Sequence, residues 1–152
     1  MLICNMGNQR EYIPTGGFSK YLYKDVSETF ELNGIKAKIV KSIDVAAGEH
    51  DRLPTYSDTS DMYFKLGNDG TAIQAKLYIG RVMALDFDWG HNHKNKGDGK
   101  TFPKGTVHVQ KYVKDKNGKF SRLSDNAQLM TDSEIAKYGK IILHFNPNVI
   151  FK

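Results

Sequence analysis

The chain is poor in cysteine and proline, with one and four residues, and has no long hydrophobic run. A lone thiol, Cys4, cannot close an internal disulfide, so no disulfide framework stabilises the fold. The longest apolar runs, such as residues 141–143, are far shorter than the roughly 18 residues that span a bilayer. No basic leader followed by a long apolar stretch opens the chain, so we expect neither a membrane span nor a signal peptide.

What remains is typical of one globular domain. The 152 residues are 39% hydrophobic and 26% charged, and a chain of about 150 residues buries enough surface to fold without staples. A breaker at Pro14–Gly17, Pro-Thr-Gly-Gly, precedes the first apolar pattern. We therefore expect a loose N-terminal arm over residues 1–17 and a single domain over residues 18–152.

Hydrophobic spacing predicts mainly strands. Alternation on both sides of Asn33-Gly34 predicts a hairpin, which competes with a short helix over residues 18–30. Further strands are predicted at 62–66, 73–79, 82–88, 106–113, 120–123 and 141–145. Thr131 and Glu134 have the spacing of a capping box, which predicts a short helix ending at Gly139. The expected class is α+β, an antiparallel sheet with one or two short helices.

The positive charge is concentrated in one stretch. Residues 91–122 contain nine lysines and arginines against two aspartates, although the whole chain has a net charge of only +5. A positive field of this kind attracts anions, of which nucleic acid is the commonest large example. A solvated, lysine-rich hairpin would have the same composition.

One segment, residues 86–108, could carry chemistry. It holds three of the five histidines, His91, His93 and His108, and two carboxylates, Asp86 and Asp88. The segment joins the end of one predicted strand to the start of another through a glycine-rich loop. If these strands are neighbours in the sheet, the polar groups converge at one end of it.

Three interpretations of this segment stay open. The first is a metal-independent ribonuclease, in which His91 and His108 are the acid–base pair. Arg81 and Lys104 would then contact phosphate, Asp86 would orient a histidine and Thr106 would bind a phosphate oxygen. The second is a metal-dependent hydrolase or nuclease that holds zinc or manganese, with the ligands His91, His93, His108 and Asp88. The third is a basic interaction module for nucleic acid or protein, without catalysis.

The nuclease interpretation also predicts residues that bind the substrate. RNA is the expected partner, because its phosphates match the lysine surplus. The side chains expected to hold it are Lys94, Lys100, Lys111 and Trp89.

Scattered motifs give a resemblance to a known group of domains. The residues concerned are Tyr63 to Gly70, Gln74 to Tyr78, Gly80-Arg81, Asp86-Phe87-Asp88, His91, Phe102-Pro103 and His108. This pattern resembles the C-terminal toxin domains of bacterial polymorphic toxins and their relatives on phage head proteins. The resemblance implies a nuclease fold of the barnase, EndoU, colicin and RelE-like type, a cytoplasmic site of action and a cognate immunity protein. It also implies delivery as part of a larger secreted or phage protein.

Two departures from that pattern concern the histidines. Gly90 precedes His91, whereas the family places glycine after the histidine, and four residues separate Pro103 from His108. The second catalytic histidine could therefore be His93 or His108.

Overall fold

A computed structural model describes residues 11–12, 23–43 and 52–152. Twelve strands and one helix follow one another in these ranges: β1 (Glu11–Tyr12), β2 (Tyr23–Asp25), β3 (Phe30–Leu32), β4 (Ile35–Ser42), β5 (Met62–Leu66), β6 (Ala72–Ile79), β7 (Val82–Asp88), β8 (His93–Lys94), β9 (Thr101–Phe102), β10 (His108–Lys114), β11 (Phe120–Arg122), β12 (Gln128–Leu129) and α1 (Asp132–Phe145).

Ten of the strands form one mixed sheet in the order β1-β2-β4-β5-β6-β7-β10-β11, in which β3 also pairs with β4 and β12 with β10. The β4–β5 pair is parallel. Strands β8 and β9 form a separate two-stranded sheet. The α+β expectation is therefore wrong: the described chain is mostly β, with a single helix, and its sheet is not purely antiparallel.

The Asn33-Gly34 turn was predicted correctly. Both residues have positive φ angles, 51° and 79°, which a two-residue hairpin turn with the right twist requires. Phe30 pairs with Ala37 across it. The competing helix is wrong over the part that the structure describes, because Tyr23–Asp25 and Phe30–Leu32 are strands. Residues 18–22 lie outside the described ranges, as does most of the predicted arm, of which Glu11–Tyr12 pairs with β2.

Helix α1 covers one face of the sheet. Its buried Ile141 and Ile142 and its neighbour Tyr138 pack into the main core with Phe87 and Phe64. The predicted helix end at Gly139 and the predicted strand at 141–145 are both wrong, since the helix continues to Phe145. Apolar residues 138, 141, 142 and 145 have the spacing of one helical face, and Gly139 lies inside the helix where Phe151 approaches it.

The other face of the sheet contains a buried group of polar side chains. Strand register places three side chains beside one another on it: Lys76 pairs with Asp86, and Asp86 pairs with Gln110. All three are less than a tenth exposed. Tyr63 and Tyr78 belong to a second, smaller apolar cluster that includes Leu53. Among the described residues, no helix is long and apolar enough to cross a membrane.

Candidate metal centre

The end of the sheet where β7 stops and β10 begins brings the three histidines together. Asp88 is the last residue of β7 and pairs in register with His108, the first residue of β10. The chain between them carries His91 in a turn and His93 at the start of β8. The two predicted strands are thus neighbours in the sheet, and their connecting loop returns over the same end.

The imidazoles are close enough to share a ligand. One ring nitrogen from each of His91, His93 and His108 lies within 4.8 Å of one ring nitrogen of the other two. The rings of His93 and His108 are stacked, with centroids 4.8 Å apart. The ring of His91 stands edge-on, 6.1 Å from His93 and 6.0 Å from His108.

Each ring contacts an acceptor through one nitrogen. His108 Nδ1 lies 3.3 Å from the Thr106 carbonyl, and His91 Nδ1 lies 3.5 Å from Asp88 Oδ1. His93 Nε2 lies 3.0 Å from Asn95 Oδ1. Contacts of this kind place the proton on the nitrogen that faces the acceptor and leave the second nitrogen of each ring unprotonated in the neutral form.

Asn95 determines the tautomer of His93. Its amide is almost fully buried and pairs reciprocally with the backbone of Ala127: Nδ2 donates to the carbonyl at 2.9 Å, and Oδ1 accepts from the N–H at 2.9 Å. The amide therefore cannot be flipped, and Oδ1 faces His93 as an acceptor. A second donation from Nδ2, to Asp98 Oδ1 at 3.1 Å, fixes the loop between β8 and β9.

The cluster is buried on one side and open on the other. His108 is 2% exposed, and Phe102 stacks on it at 5.2 Å between centroids. Burial lowers the pKa of His108, and the nearby Asp88 carboxylate opposes that shift. The side chain of His91, in contrast, is 57% exposed. A bound ion would have protein on the side of His108 and solvent on the side of His91.

The donor set fits a transition metal. Neutral imidazole is a good ligand for zinc, and three histidines with an open fourth position are typical of catalytic zinc sites. Zinc–nitrogen bonds of about 2.0–2.1 Å place tetrahedral ligands roughly 3.4 Å apart. The three nitrogens lie within 4.8 Å of one another here, so metal binding would draw them together by up to about 1.4 Å.

Several predicted site residues do not join this cluster. Arg81 lies in the turn before β7, at the opposite end of that strand from Asp88. Asp86 contacts Gln74 Nε2 at 2.7 Å and the Tyr112 hydroxyl at 3.2 Å, and no contact with a histidine is found for it among the described residues. Lys111 is exposed on β10, paired in register with Leu85.

The remaining predicted residues surround the cluster in different roles. Thr106 contributes its carbonyl as a contact of His108, and its predicted role at a phosphate stays a prediction. Trp89 is a core residue, 2% exposed, whose indole donates to the Ala72 carbonyl. Lys104 donates its backbone N–H to Asn92 Oδ1. Lys94 and Lys100 are exposed on or beside the β8–β9 hairpin.

Two residues that matter here were missed from the sequence, Asn95 and Phe102. The run Asn95 to Gly99 reads as an ordinary polar turn, and its partner Ala127 is 32 residues away. No local pattern indicates that contact.

Asp86 belongs to a separate buried network. Burial raises the pKa of its carboxyl group, against the opposing attraction of Lys76. Burial also lowers the pKa of Lys76, whose ammonium lies 5.4 Å from the Tyr112 ring centroid. Burial, together with the Asp86 charge, raises the pKa of Tyr112 to about 12.

Comparison with known proteins gives no match to a family model, a curated protein or a solved structure. The resemblance to toxin domains, with its immunity protein and parent polypeptide, therefore stays a prediction. Any function has to be argued from the site alone.

Proposed function

We propose that this chain is a metal-dependent hydrolase whose ion, zinc or manganese, is held by His91, His93 and His108. The observation that carries the proposal is the convergence of three ring nitrogens within 4.8 Å. It is supported by the acceptors behind each ring, at Asp88, Asn95 and the Thr106 carbonyl. Such outer contacts orient histidine ligands and make them more basic.

The exposure of the cluster supports catalysis over a purely structural role. Structural zinc sites are closed by four protein ligands, whereas catalytic sites keep one position for water or substrate. An ion held there acts as a Lewis acid and makes its water a nucleophile near neutral pH. In this chain the exposed His91 borders that open side. Asp88 Oδ1 contacts both the His91 ring and the Gly90 N–H. We therefore assign Asp88 to orienting the ring and not to binding the ion.

Metal-free ribonuclease chemistry is the second candidate. One observation favours it: the rings of the exposed His91 and the buried His108 lie edge to face, 6.0 Å apart between centroids. Two imidazoles on either side of a phosphate can act as general base and general acid. The position of Arg81 at the opposite end of β7 from Asp88, and the third ring nitrogen, from His93, within 4.8 Å of the other two, support the metal site instead.

A zinc titration tests the metal site directly. Metal-free protein should bind one zinc ion per chain in competition with a chromophoric chelator, and His91→Ala or His93→Ala should weaken binding by roughly a hundredfold or more. His144→Ala is the matched control, because His144 is exposed on α1 and stacked on Phe30. Equal zinc affinity in wild type and His93→Ala would contradict the proposal.

An RNA cleavage assay separates the two candidates. If the metal site is catalytic, EDTA should abolish cleavage and zinc or manganese should restore it. Full cleavage in EDTA, ending in 2′,3′-cyclic phosphate, would favour the metal-free reaction.

A further inference from the structure

A cleft of about 570 Å³ lies directly beside the histidine cluster. Its floor and walls come from β9, from the turn that follows it, from β12 and from the C-terminal residue. The side chains that matter for its chemistry are Lys100, Thr101, Phe102, Thr106, Leu129 and Lys152.

The cleft and the cluster share three walls. The Phe102 ring stacks on His108 with an interplanar angle of 25°. Thr106 provides the carbonyl that His108 contacts. Leu129 pairs in register with His108 across β10 and β12. The cleft therefore shares three residues with the surroundings of His108, although none of the described residues that line it is a histidine.

The charge of the cleft favours an anion. Lys100 and Lys152 line it, and none of the described residues that line it is acidic. Asp132 lies 3.6 Å from the Lys152 ammonium, but the two side chains are 93% and 76% exposed. Solvent screens such a pair, so the ammonium stays available to another anion.

The remaining lining suits a planar, amphipathic group. Pro103 and Leu129 add apolar surface, and Leu129 is 40% exposed. The Thr101 hydroxyl and the Gln128 amide provide polar contacts in the same cleft. Phosphate charge joined to a flat ring is the chemistry of a nucleotide, and a cationic groove that follows the backbone is one part of a single-strand binding site.

We propose that this cleft binds one nucleotide of a single-stranded RNA, with its phosphate at Lys100 and Lys152 and its base over Pro103 and Leu129, so that the adjacent phosphodiester lies at the histidine cluster. The inference rests on the proposed function, since it names the substrate of the same site. Two further lysines lie close to the cleft, because Lys94 pairs in register with Thr101 and Lys104 follows Pro103 in the chain, which supports an anionic ligand.

Binding measured in EDTA tests the cleft without the metal. The anisotropy of a short, fluorescently labelled single-stranded RNA should report binding that weakens with salt. The double variant Lys100→Ala, Lys152→Ala should weaken it roughly tenfold and reduce the salt slope by about 1. The control Lys116→Ala, Lys119→Ala removes the same charge from the turn between β10 and β11, at the far end of β10 from His108, and should have little effect.

Three results would overturn the proposal: no binding, equal weakening in both double variants, or equal affinity for single-stranded DNA of the same sequence. A zinc titration of the Lys100, Lys152 variant keeps the two proposals distinguishable. Unchanged zinc affinity with lost RNA affinity supports the cleft. If RNA binding depends on the cleft but the protein binds no zinc, the cleft proposal would be retained and the hydrolase proposal would be rejected.

Discussion

The buried amide of Asn95 connects the histidine cluster to the rest of the fold through hydrogen bonds. Its amide contacts His93, Asp98 and the backbone of Ala127. Four hydrogen bonds at one buried side chain link the β8–β9 hairpin to the segment that leads into β12. His93 therefore depends on a residue that belongs to no recognisable motif.

Replacing Asn95 should damage both stability and metal binding. Asn95→Ala leaves the buried Ala127 N–H and carbonyl without their partner, which costs about 2–3 kcal/mol. It also removes the acceptor behind His93, which should weaken zinc binding by about 10–100-fold. Urea unfolding and a zinc titration measure the two effects.

Asn95→Asp is the control for that change, because it keeps the Oδ1 acceptor behind His93, whereas its second carboxylate oxygen replaces the Nδ2 donor and meets the Ala127 carbonyl and Asp98 Oδ1 as an acceptor. We expect it to recover most of the zinc affinity while it remains less stable than wild type. If Asn95→Ala bound zinc as tightly as wild type, Asn95 would have no part in positioning His93.

The strands and helix ends that are marked by neighbouring turn or capping residues were predicted from the sequence. Strands β5 and β7 have the predicted bounds, 62–66 and 82–88, because turn residues flank each of them. Helix α1 began where its capping box indicated, but its second half was assigned to a strand. An apolar run of three is compatible with either structure, and only packing against the sheet decides between them.

The capping box of α1 gives a prediction for this element. Thr131 Oγ1 accepts from the Glu134 N–H at 3.1 Å, and Glu134 Oε1 accepts from the Thr131 N–H at 2.8 Å. Thr131→Ala removes one half of the box and should lower the free energy of unfolding by about 1 kcal/mol. Thr131→Ser keeps the acceptor and should stay close to wild type in the same chemical denaturation series. A loss in Thr131→Ser as large as that in Thr131→Ala would show that the methyl group matters and the cap does not.

Over the whole molecule, the main error concerned how the sheet is assembled. The parallel β4–β5 pair joins residues that are 25 apart, such as Ala37 and Met62, and no spacing within one strand indicates its partner or its direction. The convergence of His91, His93 and His108 could be expected from the sequence on one condition, that β7 and β10 are neighbours. The cleft could not, because Lys152 lines it together with β9 residues that are about 50 positions earlier in the chain.

The buried polar face of the sheet leads to a prediction about how the free energy of unfolding depends on pH. Burial raises the pKa of Asp86 above its ordinary value of 3.8, so the folded chain holds a proton that the unfolded chain has already released. By linkage, this carboxyl group makes the free energy of unfolding fall as pH rises from about 3.8 through its raised value, and it adds no further change above that.

Asp86→Asn should remove that part of the pH profile. The asparagine Oδ1 can still accept from Gln74 Nε2, which lies 2.7 Å from the present carboxylate, and its Nδ2 can donate to the Tyr112 oxygen. The difference in unfolding free energy between wild type and Asp86→Asn, measured by urea denaturation from pH 4 to 8, should thus shift in favour of the variant as pH rises. Both proteins retain all five histidines, so any contribution that these make to the pH profile cancels in the difference. A difference that stays constant with pH would mean that Asp86 has the same pKa in the folded and unfolded chains, so that its burial beside Lys76 has no net electrostatic cost.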